Sequence, residues 1–242
     1  LSQFLPALQQ HLEEQGWVDS YVQHLADEPI DANAESYRRL ADLVKRYAPR
    51  LRRIDATMTP NVQGCLEIWV PVLDQFDGNM AFYQQRMKAG DEVWFYTCLG
   101  PVGRYPNRFI DFSLLKVRLL HWLNFKYGLS GYLHWGYNHW TDDPFNDTQP
   151  MWSHGAPLPA GDMCIVYPGP KGPIESLRYE AMRDGVEDYE LLRTLAHRKP
   201  KAASKICDGI VRSPTDYERG IQEFRDARGR LLEMLDVGAR AR

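Results

Sequence analysis

Apolar runs of strand length alternate with amphipathic stretches of helix length along most of this chain, and no other feature constrains the fold as strongly. Residues 2–16 are predicted helical, with Phe4, Leu5, Leu8 and Leu12 at helical spacing and Gly16 as a stop. Residues 18–26 are predicted to be a strand, 33–48 a helix closed by Pro49, and 52–58 a short strand. Leu66–Val72 is a clearer strand, rich in β-branched and aromatic residues, and 78–88 is a helix before Gly90. Val93–Leu99 is nearly all apolar and bounded by Gly100-Pro101, as in a strand buried on both faces. A helix over 111–127, a strand over Gly131–Gly136, a short strand over Met163–Tyr167 and a long helix over 175–198 follow. Residues 200–237 read as mostly helical and charged. The pattern predicts an α/β fold with a parallel sheet, a (β/α)8 TIM-type barrel. Five β/α strands precede the extra one at 163–167, whereas a closed barrel needs eight. The chain opens on a helix and on Leu1 rather than Met. It therefore reads as a fragment, the C-terminal part of a barrel (about strands 4 to 8), with 1–242 a single catalytic-domain segment ending in helices.

The chain has 242 residues, 44% hydrophobic and 25% charged, enough to bury a full core. A formal net charge of −3 argues against a nucleic-acid partner. No apolar run approaches the roughly 20 residues that cross a bilayer. The compartment stays open, an extracellular or periplasmic one being compatible, and the sequence is silent on oligomeric state. Cys65, Cys98, Cys164 and Cys207 form no C-x-x-C pair, and three of them lie in apolar runs, so buried thiols are expected rather than a metal site or disulfides.

Asp27-Glu28-Pro29 ends the strand that runs through Tyr21–Ala26. Pro29 has no N–H for a ladder and disfavours helix in the residue before it. Carboxylates at the C-terminal end of a buried strand lie where a β/α barrel builds its active site. Two adjacent acids there suit glycoside chemistry, which uses a proton donor and a charged partner. Successive strand side chains point to opposite faces, so both acids reach one cleft only if the strand ends or bulges at them. The ordinary alternative is a solvated acidic turn or a helix cap.

Aromatic residues gather at predicted strand ends and in the long loop 137–161: Trp69, Trp94, Tyr96, Trp135, Tyr137, Trp140 and Trp152. Trp and Tyr offer a flat apolar face with a polar handle, which fits the C–H face of a sugar ring. Core packing is expected for Trp94, Trp17 and Trp122. Trp140 and Trp152 lie instead among Asn138, His139, Asp142, Asp143 and Asn146. The residues His134, His139, Asp142, Asp143 and His154 match no zinc spacing, and H-E-x-x-H is absent, so no metal is assigned. Hydrogen bonds to sugar hydroxyls are the expected role of Asn138, His139 and Asp143. The charged stretch Ser176–Glu190 reads as a wall helix with ion pairs along one side, Arg178 being the member able to reach a cleft. No G-x-S-x-G elbow, P-loop or G-x-G-x-x-G occurs, and no cofactor is expected.

Several segments together resemble glycoside hydrolase family 123 and its wider set of related domains. They are Leu25–Pro29, Ile68–Pro71, Glu92–Tyr96, Gly131–Trp135, Asp143–Phe145, Tyr167–Gly169, and Ser176–Arg178 with Arg183–Gly185 and Glu187–Tyr189. Characterised members of that family are β-N-acetylgalactosaminidases. The resemblance implies retaining, substrate-assisted removal of terminal β-linked N-acetylgalactosamine from a glycan or glycoconjugate. It implies that Asp27 holds the 2-acetamido group and that Glu28 is the general acid and base, its pKa raised by burial and by the Asp27 charge. Trp69, Tyr96, Trp135, Tyr137, Asn138, His139, Trp140 and Asp143 are the expected substrate contacts, with Tyr96 or Tyr137 donating to the acetamido oxygen. Two alternatives are a glycosidase acting on another sugar and a non-catalytic carbohydrate-binding relative.

Overall fold

A computed structural model describes residues 1–151 and 155–240; Trp152 and His154 lie outside the described residues. The chain divides into two compact units, Leu1–Tyr96 and Thr97–Arg242.

In the first unit, helix α1 (Phe4–Glu14) leads into strand β1 (Val22–His24), helix α2 (Ala34–Tyr47), strand β2 (Arg52–Thr57) and strand β3 (Ile68–Pro71). Helices α3 (Leu73–Gly78) and α4 (Met80–Lys88) follow, then strand β4 (Glu92–Tyr96). The strands pair in parallel, β1 with β2, β2 with β3 and β3 with β4. This is the α/β alternation read from the sequence. β2 and β3 are buried on both faces; β3 shows this as an apolar run, whereas β2 buries Arg53, Asp55 and Thr57 among its apolar residues. Helix α2 turns Tyr37, Ala41 and Val44 inward. It stops at Ala48 because the residue before Pro49 is disfavoured in α geometry. Leu5, Leu12 and Val18 pack with Val44, Ala48 and Leu51 into one cluster.

Two boundaries differ from the sequence reading. The predicted helix 78–88 is α4, and a further short helix, α3, precedes it over Leu73–Gly78, where no helix was predicted. The first strand is three residues long and stops at His24, because the next two amides bond a side chain instead of the ladder.

In the second unit, helix α5 (Leu114–Tyr127) precedes strand β5 (Gly131–Leu133), whose Leu133 carbonyl accepts the Thr97 N–H. Strands β6 (Val166–Tyr167) and β7 (Ile174–Glu175) form an antiparallel hairpin. The expected strand 163–167 is thus a hairpin arm. The apolar signal of Met163–Ile165 comes from burial beneath residues 137–139, which bond their backbone. Helices α6 (Leu177–Arg198), α7 (Pro200–Ile210) and α8 (Ile221–Arg240) complete the unit. Ser176 caps α6, its hydroxyl accepting from the Tyr179 N–H at 3.1 Å and donating to the Ile165 carbonyl at 2.6 Å. Gly185 lies where α6 crosses α5, and a Cβ there would meet the Arg118 carbonyl oxygen at 2.5 Å. Only glycine permits that approach. Trp122, Leu123, Leu192, Leu195, Ile206, Phe224 and Leu231 fill the space between these helices. Among the described residues no helix is long and apolar enough to cross a membrane.

Candidate active site

The loop after β1 is pinned on both sides of the acidic pair. The backbone N–H groups of Leu25 and Ala26 donate to Asp55 Oδ2 at 3.2 and 3.1 Å. On the far side, Met58 N–H donates to the carbonyl of the buried Pro29 at 3.2 Å. Both anchors belong to β2 and the residue after it, so Asp27 and Glu28 must turn between two fixed points. Glu28 accommodates this with φ of 47°, the left-handed region that glycine favours. A residue before proline is also steered toward extended geometry. The outlier costs on the order of 1–3 kcal/mol, and such strain gathers at functional sites. Because β1 has already ended at His24, strand alternation no longer dictates where the two carboxylates point.

The two acids differ in environment. The Asp27 side chain is 84% exposed. Glu28 is half-buried, and burial, aided by the Asp27 charge, holds its carboxyl above the usual glutamate range. The pair thus combines a partly desolvated acid with an accessible acidic partner, two carboxyl groups in unlike environments.

Asp55 is the residue that sequence reading missed here. Its side chain is fully buried, and it accepts the Tyr37 hydroxyl at 2.6 Å in addition to the two amides. His24 Nε2 stands 2.6 Å from Asp55 Oδ1 and 4.0 Å from Asp27 Oδ1. The available signal was an acidic residue between Ile54 and Ala56 in a predicted strand, since a buried carboxylate is kept only where donors satisfy it.

The other expected contacts fall in different surroundings. Trp69 is fully buried, its ring set edge-on to Phe82 and Tyr83. Its indole N–H donates to Asp91 at 2.8 Å, just before β4 and so at the end of the sheet opposite the acidic pair. Its ring belongs to the core. Tyr96, at the C-terminal end of β4, is also buried. Trp122 is buried as expected and Trp94 half-buried, but Trp17 is mostly exposed.

In the second unit, Trp135, Tyr137, Asn138, His139 and Trp140 form one exposed run beside the buried 162–166 segment. Trp135 is 41% exposed and Tyr137 51%. The Trp135 indole N–H donates to Asp162 at 2.9 Å, and its ring lies between His134 and His139, at 6.4 and 5.3 Å. Trp140 donates to the Val166 carbonyl at 2.8 Å. Gly136 lets the run lie flat, since a Cβ there would meet the Met163 oxygen at 2.6 Å. Asp143 stands apart in a turn, accepting from Asn146 Nδ2 at 2.8 Å.

Buried charge supports this run from below. Arg108 bonds the Gly136 carbonyl and lies 2.7 Å from His134 Nδ1. Arg178 is buried, donating to the carbonyls of Arg108 and Gly161 at 2.7 Å each and of Cys164 at 2.9 Å. It is therefore a clamp on three backbone segments rather than an arm into a cleft. His134 has its Nε2 3.2 Å from Asp162, and burial pushes its pKa down to about 4. A histidine held neutral in the fold but free to protonate when unfolded gives stability present above the ordinary pKa of 6.5 and lost as pH falls toward 4. The expected result is a melting temperature that declines between pH 6.5 and 4, with a shallower decline in His134→Gln. Equal slopes in the two proteins would contradict the assignment.

The family model described as glycoside hydrolase 123, catalytic domain, matches residues 1–195. Among solved structures, a family 123 glycoside hydrolase from Clostridium perfringens, studied for glycolipid glycan hydrolysis, superposes with a TM-score of 0.67 at 18% identity. The match covers 85% of this chain and 36% of that one, so this chain spans about a third of the relative's length. The likeness shows the shared α/β fold, in keeping with part of a β/α barrel. A search of curated proteins found no match. With the family model covering 195 of its 242 residues, the chain belongs to the glycoside hydrolase 123 catalytic-domain family.

Proposed function

We propose that this chain is the C-terminal part of a barrel, about strands 4 to 8, whose enzyme removes terminal β-linked N-acetylgalactosamine with retention of configuration. The observation that carries the reading is the Asp27-Glu28 pair, pinned after a parallel strand, with Glu28 in a left-handed backbone and its carboxyl raised by burial. Family membership supports the hydrolase chemistry. In the first step the acetamido oxygen attacks the anomeric carbon while the bond to the leaving oxygen breaks. Glu28 gives its proton to that oxygen. The Asp27 carboxylate accepts the acetamido N–H and offsets the positive charge of the oxazolinium ring. Glu28 then takes a proton from water as the water opens the ring at the anomeric carbon. Two displacements at one carbon restore its configuration. Within the second unit, the exposed run Trp135–Trp140 carries aromatic faces and polar groups of the kind that bind sugars.

A galacto-configured thiazoline, which copies the oxazoline ring, is the direct test. The full polypeptide is expected to bind it at least 10²-fold more tightly than the substrate, as analogues of the reacting state are bound. No inhibition of an active enzyme would remove the substrate-assisted step and favour a glycosidase that supplies its own nucleophile.

A further inference from the structure

The proposed chemistry leaves Asp55 without a role, yet it is the most heavily bonded group beneath the acidic loop. Its side chain is fully buried. Oδ2 accepts the Leu25 and Ala26 amides and the Tyr37 hydroxyl, at 3.2, 3.1 and 2.6 Å. Oδ1 faces His24 Nε2 at 2.6 Å, and the same nitrogen is 4.0 Å from Asp27 Oδ1. The ring is therefore held within reach of both carboxylates, in closest approach to Asp55.

We propose that Asp55 and His24 form a positioning dyad for Asp27, an inference that rests on the function proposed above. The Asp27 side chain is 84% exposed, and nothing about its own exposure restrains its rotation. Two restraints reach it through Asp55. The amide bonds at Leu25 and Ala26 fix the backbone that enters Asp27. The His24 ring supplies a polar edge that favours the carboxylate rotamer facing it. Neither residue touches the substrate. The dyad sets where the acetamido group meets its acceptor, and misplacement of a reacting group by about 1 Å costs on the order of 10²-fold in rate.

The test is Asp55→Asn in the full polypeptide. The amide keeps the side chain's shape, and its oxygen still accepts from Tyr37 and the loop amides. Its NH2 group then replaces the charged oxygen beside His24 and removes the attraction that holds the ring there. The expected result is a fall in kcat of about 10²-fold with KM within about 3-fold. His24→Ala changes an exposed residue that the fold does not need, so it decides the matter if Asp55→Asn does not fold; it should lower kcat in the same way. In an Asp27→Asn background, either change should alter kcat by less than about 2-fold, because both act through Asp27. Wild-type kcat in folded His24→Ala, or losses that multiply with that of Asp27→Asn, would overturn the dyad while leaving the proposed function standing. An Asp27→Asn protein with full activity would instead overturn the proposed function, and the dyad with it.

Discussion

Glu28→Gln is expected to lower kcat on an aryl β-N-acetylgalactosaminide by about 10²- to 10⁴-fold, the usual contribution of a positioned general acid. Glutamine matches the shape of the protonated side chain but gives up no proton. The half-buried position and the left-handed backbone accept it as readily as glutamate. The melting temperature should therefore stay within about 2 °C. The pH dependence follows from the same group. A general acid works while protonated, so kcat/KM falls as pH rises through its pKa. Burial and the Asp27 charge raise that pKa, which moves the alkaline limb above the ordinary glutamate range. The variant should lose this limb as well as the rate. A variant with wild-type kcat would transfer the proton-donor role to another residue.

The largest loss of stability is expected from Asp188→Ala. Asp188 is fully buried on α6 and accepts from two guanidinium groups and one indole. Arg118 Nε lies 2.6 Å from Oδ2, Arg228 donates to Oδ1 at 2.7 Å, and Trp122 donates to Oδ2 at 3.0 Å. These bonds tie α5, α6 and α8 together. Alanine leaves Arg118 without its buried counter-charge and Arg228 with Glu187 alone, and breaking a buried pair in this way costs about 3–5 kcal/mol. For a chain of this size the melting temperature should fall by about 10 °C. Calorimetry of the variant at neutral pH measures it. A shift under about 2 °C would mean that water reaches the two guanidinium groups and supplies what the carboxylate did.

Different parts of the molecule were legible in the sequence to different degrees. The α/β alternation was most readable at β3, which is buried on both faces and appears as a continuous apolar run, and at the mostly apolar β4. The strand-end position of Asp27 and Glu28 was readable from Pro29. The end of β1 was not, because it is set by the side chain of Asp55, 30 positions from Leu25. The charged face of α6 shows the same limit. Helical spacing says which residues share a face but not what covers that face. Asp188 read as part of an ion-paired wall and Arg178 as the member able to reach a cleft, yet both are buried, Arg178 clamping carbonyls and Asp188 holding two arginines. Likewise, a tryptophan near a strand end can turn either way. Trp69 turns into the core toward Asp91, while Trp135 stays at the surface with its indole N–H fixed by Asp162. The hairpin of β6 and β7 imitates a barrel strand in composition because the 137–139 segment covers it, a contact no local pattern encodes.

The central claim is that Asp27 and Glu28 cleave a 2-acetamido sugar with the help of that sugar's own amide. Nitrophenol release from the β-N-acetylgalactosaminide tests it most directly, measured beside the gluco epimer and the galactoside lacking the acetamido group. The full polypeptide and its Glu28→Gln variant are assayed in parallel. Cleavage of the N-acetylgalactosaminide, with no cleavage of the des-acetamido galactoside and loss of rate in the variant, is the predicted result. Equal cleavage of the galactoside lacking the acetamido group, or no cleavage of any of the three by the folded protein, would contradict it.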